Sequence, residues 1–114
     1  MDCVFCQIAA GESPANIVFK DELVTAFLDS DPINLGHILI VPNMHFLDAD
    51  DMPEATFLHL LNVARKLLIE MKRTCKIDGY SMMQNGGIFN DIGHYHLHVF
   101  PRYEGDGFGW TTGV

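Results

Sequence analysis

The sequence has no long hydrophobic run, because charged residues interrupt its apolar segments every few positions. A membrane-spanning helix needs about 20 mostly apolar residues, and a secretory leader needs a basic region before an apolar one, so we expect neither here. Cysteine is also scarce: the chain has three, two of them as Cys3 and Cys6 in a Cys-x-x-Cys. This number is too small for a disulfide framework and favours a reduced, cytoplasmic setting.

Basic residues are few as well. Seven Lys and Arg stand against fifteen Asp and Glu, the formal net charge is −8, and no basic cluster occurs. Polymeric nucleic acid is therefore disfavoured as a partner, whereas a few local donors can still hold the phosphate of a mononucleotide. With 114 residues the chain can bury one core, so we predict a single domain over residues 1–114.

Three histidines alternate with bulky apolar residues in His94-Tyr95-His96-Leu97-His98-Val99. This alternation is typical of a half-buried strand, in which side chains two positions apart share a face. We therefore predict one row of imidazoles on the accessible face, and we expect Pro101 to end the strand. Rings about 7 Å apart disfavour each other's protonation, so the middle ring should be neutral and able to act as nucleophile, base or metal ligand.

The order His-φ-His-φ-His-φ-φ, with Gly-His-Ile-Leu-Ile-Val-Pro at residues 36–42, closely resembles the histidine triad (HIT) family of nucleotide-binding hydrolases and transferases. The resemblance runs from Cys3 through Asp29 to Arg102. It implies an α+β HIT-like fold, with an antiparallel sheet of about five strands, one long helix and a short N-terminal helix. It also implies a homodimer. The lack of regular strand–helix–strand alternation independently favours α+β with an antiparallel sheet.

Local patterns predict the individual elements. Residues 16–20 and 23–28 should form an antiparallel hairpin, with further strands at 36–42 and 80–84. Asp51 and Glu54 look like a capping box that opens a long helix. We expect His59 to be a plain surface residue of this helix. The apolar positions predicted to form the helix's core stripe are Phe57, Leu60, Leu61, Ala64, Leu67, Leu68 and Met71.

The resemblance also assigns roles in catalysis. It implies that His96 attacks the α-phosphorus of a purine nucleotide derivative, of the phosphoramidate or dinucleoside polyphosphate type, to form a nucleotidyl-histidine. His98 would bind the non-bridging phosphate oxygens, and His37 would orient the triad, to which His94 also belongs. The substrate-binding residues implied in the same way are Phe27, Asp29, Asn85, Asn90 and Asp91.

Two other functions compete with this hypothesis. One is a non-catalytic nucleotide sensor or scaffold that keeps the same pocket. The other is a metalloenzyme that holds one ion with all three triad histidines. Three same-face positions span about 13 Å of strand, which is awkward for one small coordination sphere.

The Cys-x-x-Cys has the spacing that lets two thiolates reach one tetrahedral zinc, which needs two more ligands. A redox motif or two small buried thiols are the alternatives, but the redox motif normally follows a strand and here it opens the chain. Resemblance to the zinc-containing branch of the family implies that Cys3, Cys6, His45 and His94 hold a structural zinc.

One segment departs from the family. Many members have Gly-Gln-Ser or Gly-Gln-Thr before the triad, where this chain has Phe89, Asn90 and Asp91. An ionised Asp91 that faced the phosphate would repel it, because a carboxylate only accepts hydrogen bonds. We therefore expect the Asp91 side chain to turn away from the site while its backbone N–H still donates.

Overall fold

The computed structural model describes residues 3–109. The elements in chain order are helix α1 (Val4–Ala9), strands β1 (Ile17–Lys20), β2 (Val24–Leu28) and β3 (Ile38–Pro42), helix α2 (Glu54–Thr74), strand β4 (Gly79–Met83), a 3-10 turn (Gly87–Phe89) and strand β5 (Leu97–Arg102). The strands form one antiparallel sheet in the order β1-β2-β3-β5-β4. The predicted α+β fold, with its long helix and short N-terminal helix, is confirmed. Within the described part of the chain, no helix has the length and apolarity needed to cross a membrane.

The central strands β2, β3 and β5 are buried on both faces, under helices of very different size. The long helix α2 covers one face, where its Leu60, Val63 and Ala64 pack in a core with Ile40 of β3. Across the other face lies α1, whose Phe5 and Ile8 pack on strands β2 and β3. In antiparallel strands, directly opposite residues share a face. Leu39 is opposite both Phe27 and His98, so this second face carries the triad.

Strand β5 continues beyond the position where we expected it to end. Pro101 pairs with Tyr80, and the strand runs on to Arg102. The proline fits because the N–H it lacks would point towards β3, which begins only at Ile38 and is paired no further than Val99. On that side the Pro101 carbonyl accepts a hydrogen bond from the Asn34 amide at 2.9 Å.

Helix α2 begins without the predicted capping box. Its N-cap is Pro53, which supplies no side-chain hydrogen bond, and Asp51 instead accepts from the backbone N–H of Asp48 at 2.9 Å. Along the predicted stripe, Leu61 is exposed and Val63 takes a core position. The expectation for His59 is also wrong, because its ring lies 2.6 Å from the carboxylate of Asp21 in the β1–β2 turn.

Candidate functional site

The triad forms the predicted row, but its first two rings are buried. His94 is fully buried and His96 is 6% exposed. The expectation that all three imidazoles stay accessible is therefore wrong. The cause is α1: the Phe5 ring meets His96 edge-on at 5.2 Å and His94 at 6.0 Å between ring centroids. His98 continues the row, with its ring 5.0 Å from that of His96.

The tautomer of His96 follows from one contact. Its Nδ1 lies 2.9 Å from the backbone carbonyl oxygen of His94. A carbonyl only accepts, so Nδ1 carries the proton and donates it. In the neutral ring, Nε2 then keeps its lone pair, which is the form required of a nucleophile.

The tautomer of His98 is set through His37. The backbone N–H of Ile33 donates to Nδ1 of His37 at 3.0 Å, so the neutral His37 ring carries its proton on Nε2. That Nε2–H donates to Nδ1 of His98 at 2.9 Å. The remaining proton of a neutral His98 must therefore be on Nε2. Neighbouring triad rings thus present opposite chemistry: a lone pair on Nε2 of His96 and an N–H on Nε2 of His98.

Burial keeps the rings of His98 and His37 neutral. It lowers the pKa of His98 to about 4, helped by His96 and His37 and opposed by the charges of Asp29 and Asp91. Burial likewise lowers the pKa of His37, against the opposing charge of Asp29. At neutral pH both rings are therefore uncharged, as the hydrogen-bond chain requires.

A cavity of about 910 Å³ opens in front of His96 and His98. This is the size of a small-molecule site. One wall is apolar and comes from α1 and the sheet, and the residues that form it are Val4, Phe5, Ile8, Phe27 and Leu39. Polar residues also line the cavity, among them Asp29, Asn85 and Asp91. No lysine or arginine of residues 3–109 lines the cavity, so a phosphate there would be held by imidazoles, amides and backbone groups.

Asp29 directly follows the last residue of β2 and lines the cavity. Its Oδ1 accepts from the backbone N–H of Asp31 at 3.0 Å, and its Oδ2 is 3.6 Å from Nε2 of His37. The side chain is 18% exposed, so the carboxylate is still open to the cavity. Phe27 lies two residues earlier on the same face of β2, and its ring contacts Phe5 edge-on at 5.4 Å.

The loop before the triad carries three polar residues, of which two line the cavity and one does not. Asn85 and Asp91 line the cavity. Asn90 does not: its Nδ2 donates to the Leu47 carbonyl at 3.1 Å, and its Oδ1 accepts from the N–H groups of Ile92 and Gly93. Asp91 lines the cavity, and its charge partly opposes the lowering of the pKa of His98. That its side chain turns away from a bound phosphate stays a prediction.

Asp48 is a site-supporting residue that sequence reasoning missed. Its Oδ1 accepts from the backbone N–H of Gly87 at 2.9 Å and so ties down the loop that carries Asn85. A Cβ on Gly86 would lie 3.2 Å from the same oxygen, so the glycine permits the close approach. Asp48 lies in a short acidic stretch with Asp50 and Asp51, and nothing in that pattern singles it out.

The predicted zinc ligands come together at the start of α1. The Sγ atoms of Cys3 and Cys6 lie 3.3 and 3.4 Å from Nδ1 of His94, and Cys6 Sγ is 3.2 Å from Nδ1 of His45. All four donor atoms lie within 4.8 Å of one another. Ligands of a tetrahedral zinc lie about 3.3 to 3.8 Å apart when Zn–N is about 2.0 Å and Zn–S about 2.3 Å, so the spacing fits.

The tautomer of His94 fits a cation as well. His94 donates its Nε2–H to the Pro42 carbonyl at 2.8 Å, which leaves the Nδ1 lone pair directed at the thiols. Burial raises the pKa of Cys6 to about 11, reinforced by the hydrogen bond and charge of Cys3. A bound cation would reverse this shift, because thiolates are the ligands.

A second group of metal-capable atoms, from Asp29, His37 and His98, does not have this character. The two imidazole nitrogens that face each other are 2.9 Å apart, which is a hydrogen-bond distance and shorter than the roughly 3.3 Å between nitrogens on one tetrahedral ion. The other nitrogen of His37 is engaged by Ile33. This group is a hydrogen-bonded dyad beside a carboxylate.

Comparison with known proteins finds matches that cover most of the chain. The HIT domain model matches residues 10–105. An uncharacterized HIT-like protein of Methanocaldococcus jannaschii is 41% identical over 107 residues, which cover 92% of this chain and 82% of that protein. The crystal structure of a zinc-bound histidine triad family protein from Mycobacterium smegmatis is similar with a TM-score of 0.88 and 34% identity, covering 96% of this chain and 81% of that one. Adenylylsulfatase HINT3 of Arabidopsis thaliana is 30% identical over 92% of this chain and 54% of its own length.

Proposed function

This chain belongs to the HIT family, and on that premise we propose that it is a nucleotide hydrolase or transferase that cleaves at the α-phosphate of purine nucleotide derivatives. The reaction passes through a nucleotidyl group on His96. The observation that carries this proposal is the pair of fixed tautomers: a lone pair on Nε2 of His96 beside an N–H on Nε2 of His98. A relative named adenylylsulfatase supports the reaction class.

In the first step, the lone pair of His96 Nε2 attacks the α-phosphorus, and the bond from phosphorus to the leaving group breaks. The leaving group departs with that electron pair and takes up a proton from water. The Nδ1–H bond to the His94 carbonyl becomes stronger as positive charge develops on the ring. Water then attacks the phosphorus and displaces His96, or an acceptor molecule does so in a transferase.

The other cavity groups bind and orient the nucleotide. The Nε2–H of His98 donates to a non-bridging oxygen, where hydrogen bonding to developing charge gives the largest rate effect. The carboxylate of Asp29 accepts from the ribose hydroxyls, and the base packs on the apolar wall at Phe27. Asn85 lies on the phosphate and leaving-group side.

We also propose a structural zinc on Cys3, Cys6, His45 and His94. The cluster geometry and the zinc-bound relative support it. A bound zinc would cross-link the start of α1 to the triad strand and would supply no chemistry at the phosphate. Four protein ligands would fill a tetrahedral site and leave no position for substrate.

The test is turnover of an adenosine phosphoramidate together with AMP affinity, in wild type and His96→Ala. We expect wild-type turnover and a nucleotidyl adduct that is detected on quenched protein by mass. His96→Ala should lose turnover yet keep AMP affinity within about tenfold, because the base and ribose contacts supply most of the ground-state binding. His59→Gln is the matched control, since that histidine lies outside the cavity.

The competing sensor function gives a different result. A sensor binds AMP but shows neither turnover nor adduct on phosphoramidates, dinucleoside polyphosphates or adenylyl sulfate. If His96→Ala keeps more than a few per cent of the wild-type rate, the covalent mechanism is wrong even though the protein is an enzyme.

A further inference from the structure

We propose that Cys3 and Cys6 are positioning residues of the nucleotide site, so that metal binding and nucleotide binding strengthen each other. The inference rests on the proposed function and on the proposed zinc. Its basis is that α1 is at once the base-side wall of the cavity and the element that the thiols hold against the triad strand.

Helix α1 is too short to be stable by itself. It has six residues, and isolated helices shorter than about 12 residues are marginal even in favourable sequences. Its N-cap is Cys3, whose Sγ accepts from the backbone N–H of Cys6. The first turn of the helix is therefore built around the group of cysteine and histidine donor atoms. Two larger buried side chains, Phe5 and Ile8, supply its apolar contact with the sheet.

The same helix forms the cavity. Val4, Phe5 and Ile8 all line it, and the Phe5 ring also lies over His96. If the contacts of Cys3 and Cys6 with His94 and His45 are lost, the first turn of α1 keeps its apolar packing, while the Lys20 ammonium still donates to the Ala9 carbonyl at the other end of the helix. Each opening of α1 removes the surface on which the base packs. Nucleotide and metal both bind the docked state, so each favours the other through that state.

His94 shows why the effect falls on binding more than on chemistry. Its Nδ1 faces the thiols, and its carbonyl fixes the tautomer of the nucleophile. The ring is also held by the Pro42 carbonyl, and the next residue, Tyr95, donates its backbone N–H to Phe46 at 2.7 Å. These bonds do not involve the thiols. Loss of Cys3 or Cys6 should therefore leave His96 aligned while it loosens α1.

The direct test is a linkage measurement by calorimetry. We expect removal of zinc from the wild-type protein by a chelator to weaken AMP binding at least tenfold, within the range of about 5- to 150-fold common for coupled sites. Linkage requires the reciprocal effect, so AMP should raise zinc affinity in a chelator competition by the same factor. Hydrogen exchange should show faster exchange of residues 4–9 in the zinc-free protein, with AMP partly restoring protection.

The variants are Cys3→Ser and Cys6→Ser, with Cys75→Ser as the matched control, because Cys75 is exposed at the far end of α2. Both site variants should raise KM at least tenfold while kcat changes by less than threefold, and the control should leave both unchanged. A general folding defect would instead lower the active fraction and hence kcat. If either variant does not fold, the chelator experiment on the wild-type protein decides.

The inference is overturned if AMP affinity in the zinc-free protein stays within twofold of the loaded value. It is also overturned if zinc loss lowers kcat and leaves KM unchanged. Failure of the proposed function looks different, because the zinc-loaded wild-type protein would then turn over none of the substrates, whether or not it binds AMP.

Discussion

His37 provides the sharpest test of the hydrogen-bond chain behind the triad. The perturbation is His37→Leu, which keeps a buried apolar side chain but removes both ring nitrogens. Two groups then lose their partner: the N–H of Ile33, which donates to Nδ1, and Nδ1 of His98, which accepts from Nε2. His37→Gln is the matched variant, since its amide can still donate towards His98.

Two magnitudes follow from these contacts. A buried polar group without its partner costs about 1–3 kcal/mol in free energy of unfolding, and His37 is only 2% exposed. Removing a complete donor to transition-state charge lowers kcat by about 10²- to 10³-fold. In His37→Leu the His98 ring keeps a proton but no longer has it fixed on Nε2. We therefore expect a smaller decrease in kcat, of about ten- to a hundredfold, with a smaller loss in His37→Gln.

The assay combines single-turnover kinetics with nitrogen NMR of His98. In the wild-type protein, Nε2 of His98 should give the signal of a protonated nitrogen and Nδ1 that of an acceptor. In His37→Leu the two signals should approach each other as the tautomers mix. The charge of His37 also lowers the pKa of His98, so the variant should titrate above the wild-type value of about 4. Unchanged signals together with an unchanged kcat would show that the hydrogen bonds from Ile33 through His37 do not fix the tautomer of His98.

The remaining predictions concern metal, pH and substrate. Elemental analysis should find about one zinc per chain, and its removal should lower Tm; absence of zinc under non-chelating conditions, with both thiols of the pair freely titratable, would contradict this. In chelator, the free energy of unfolding should fall as pH drops from about 6.5 towards 4, because the unfolded chain binds protons that the folded His98 and His37, with lowered pKa, do not; a urea series that shows a smaller pH slope for His98→Gln would confirm the assignment, and an equal slope would contradict it. Asp91→Ser should raise kcat/KM for dinucleoside polyphosphates relative to lysine-type phosphoramidates, since it removes a negative charge from the cavity; an unchanged ratio would show that the carboxylate does not face the leaving group.

The strands and the common face of the triad could be predicted because both follow from the alternation of side chains along a strand, in which every second residue lies on the same face. The alternation around His96 fixes its face, and the apolar runs on both sides of Asp21 fix the hairpin. Burial of the imidazoles could not be predicted in this way. It depends on α1, which is too short to show a helical period, and on where the chain folds that helix. The same limit applies to His59, whose partner Asp21 is 38 positions away in sequence.

The loop before the triad shows a different limit of sequence-based prediction. Resemblance to the family predicts which residues lie in this loop but not what their side chains contact. The resemblance led us to expect Asn90 among the substrate-binding residues, yet its short side chain accepts from the N–H groups two and three residues later, which is the usual local bonding of asparagine in turns. That preference could have been read from the sequence. The contact of Asp48 with Gly87 could not, since it joins two loops whose distance depends on the whole sheet. Asn90, which closes the turn, and Asp48, which anchors it, both lie outside the cavity, yet they hold the loop that places Asn85 and Asp91 in its lining.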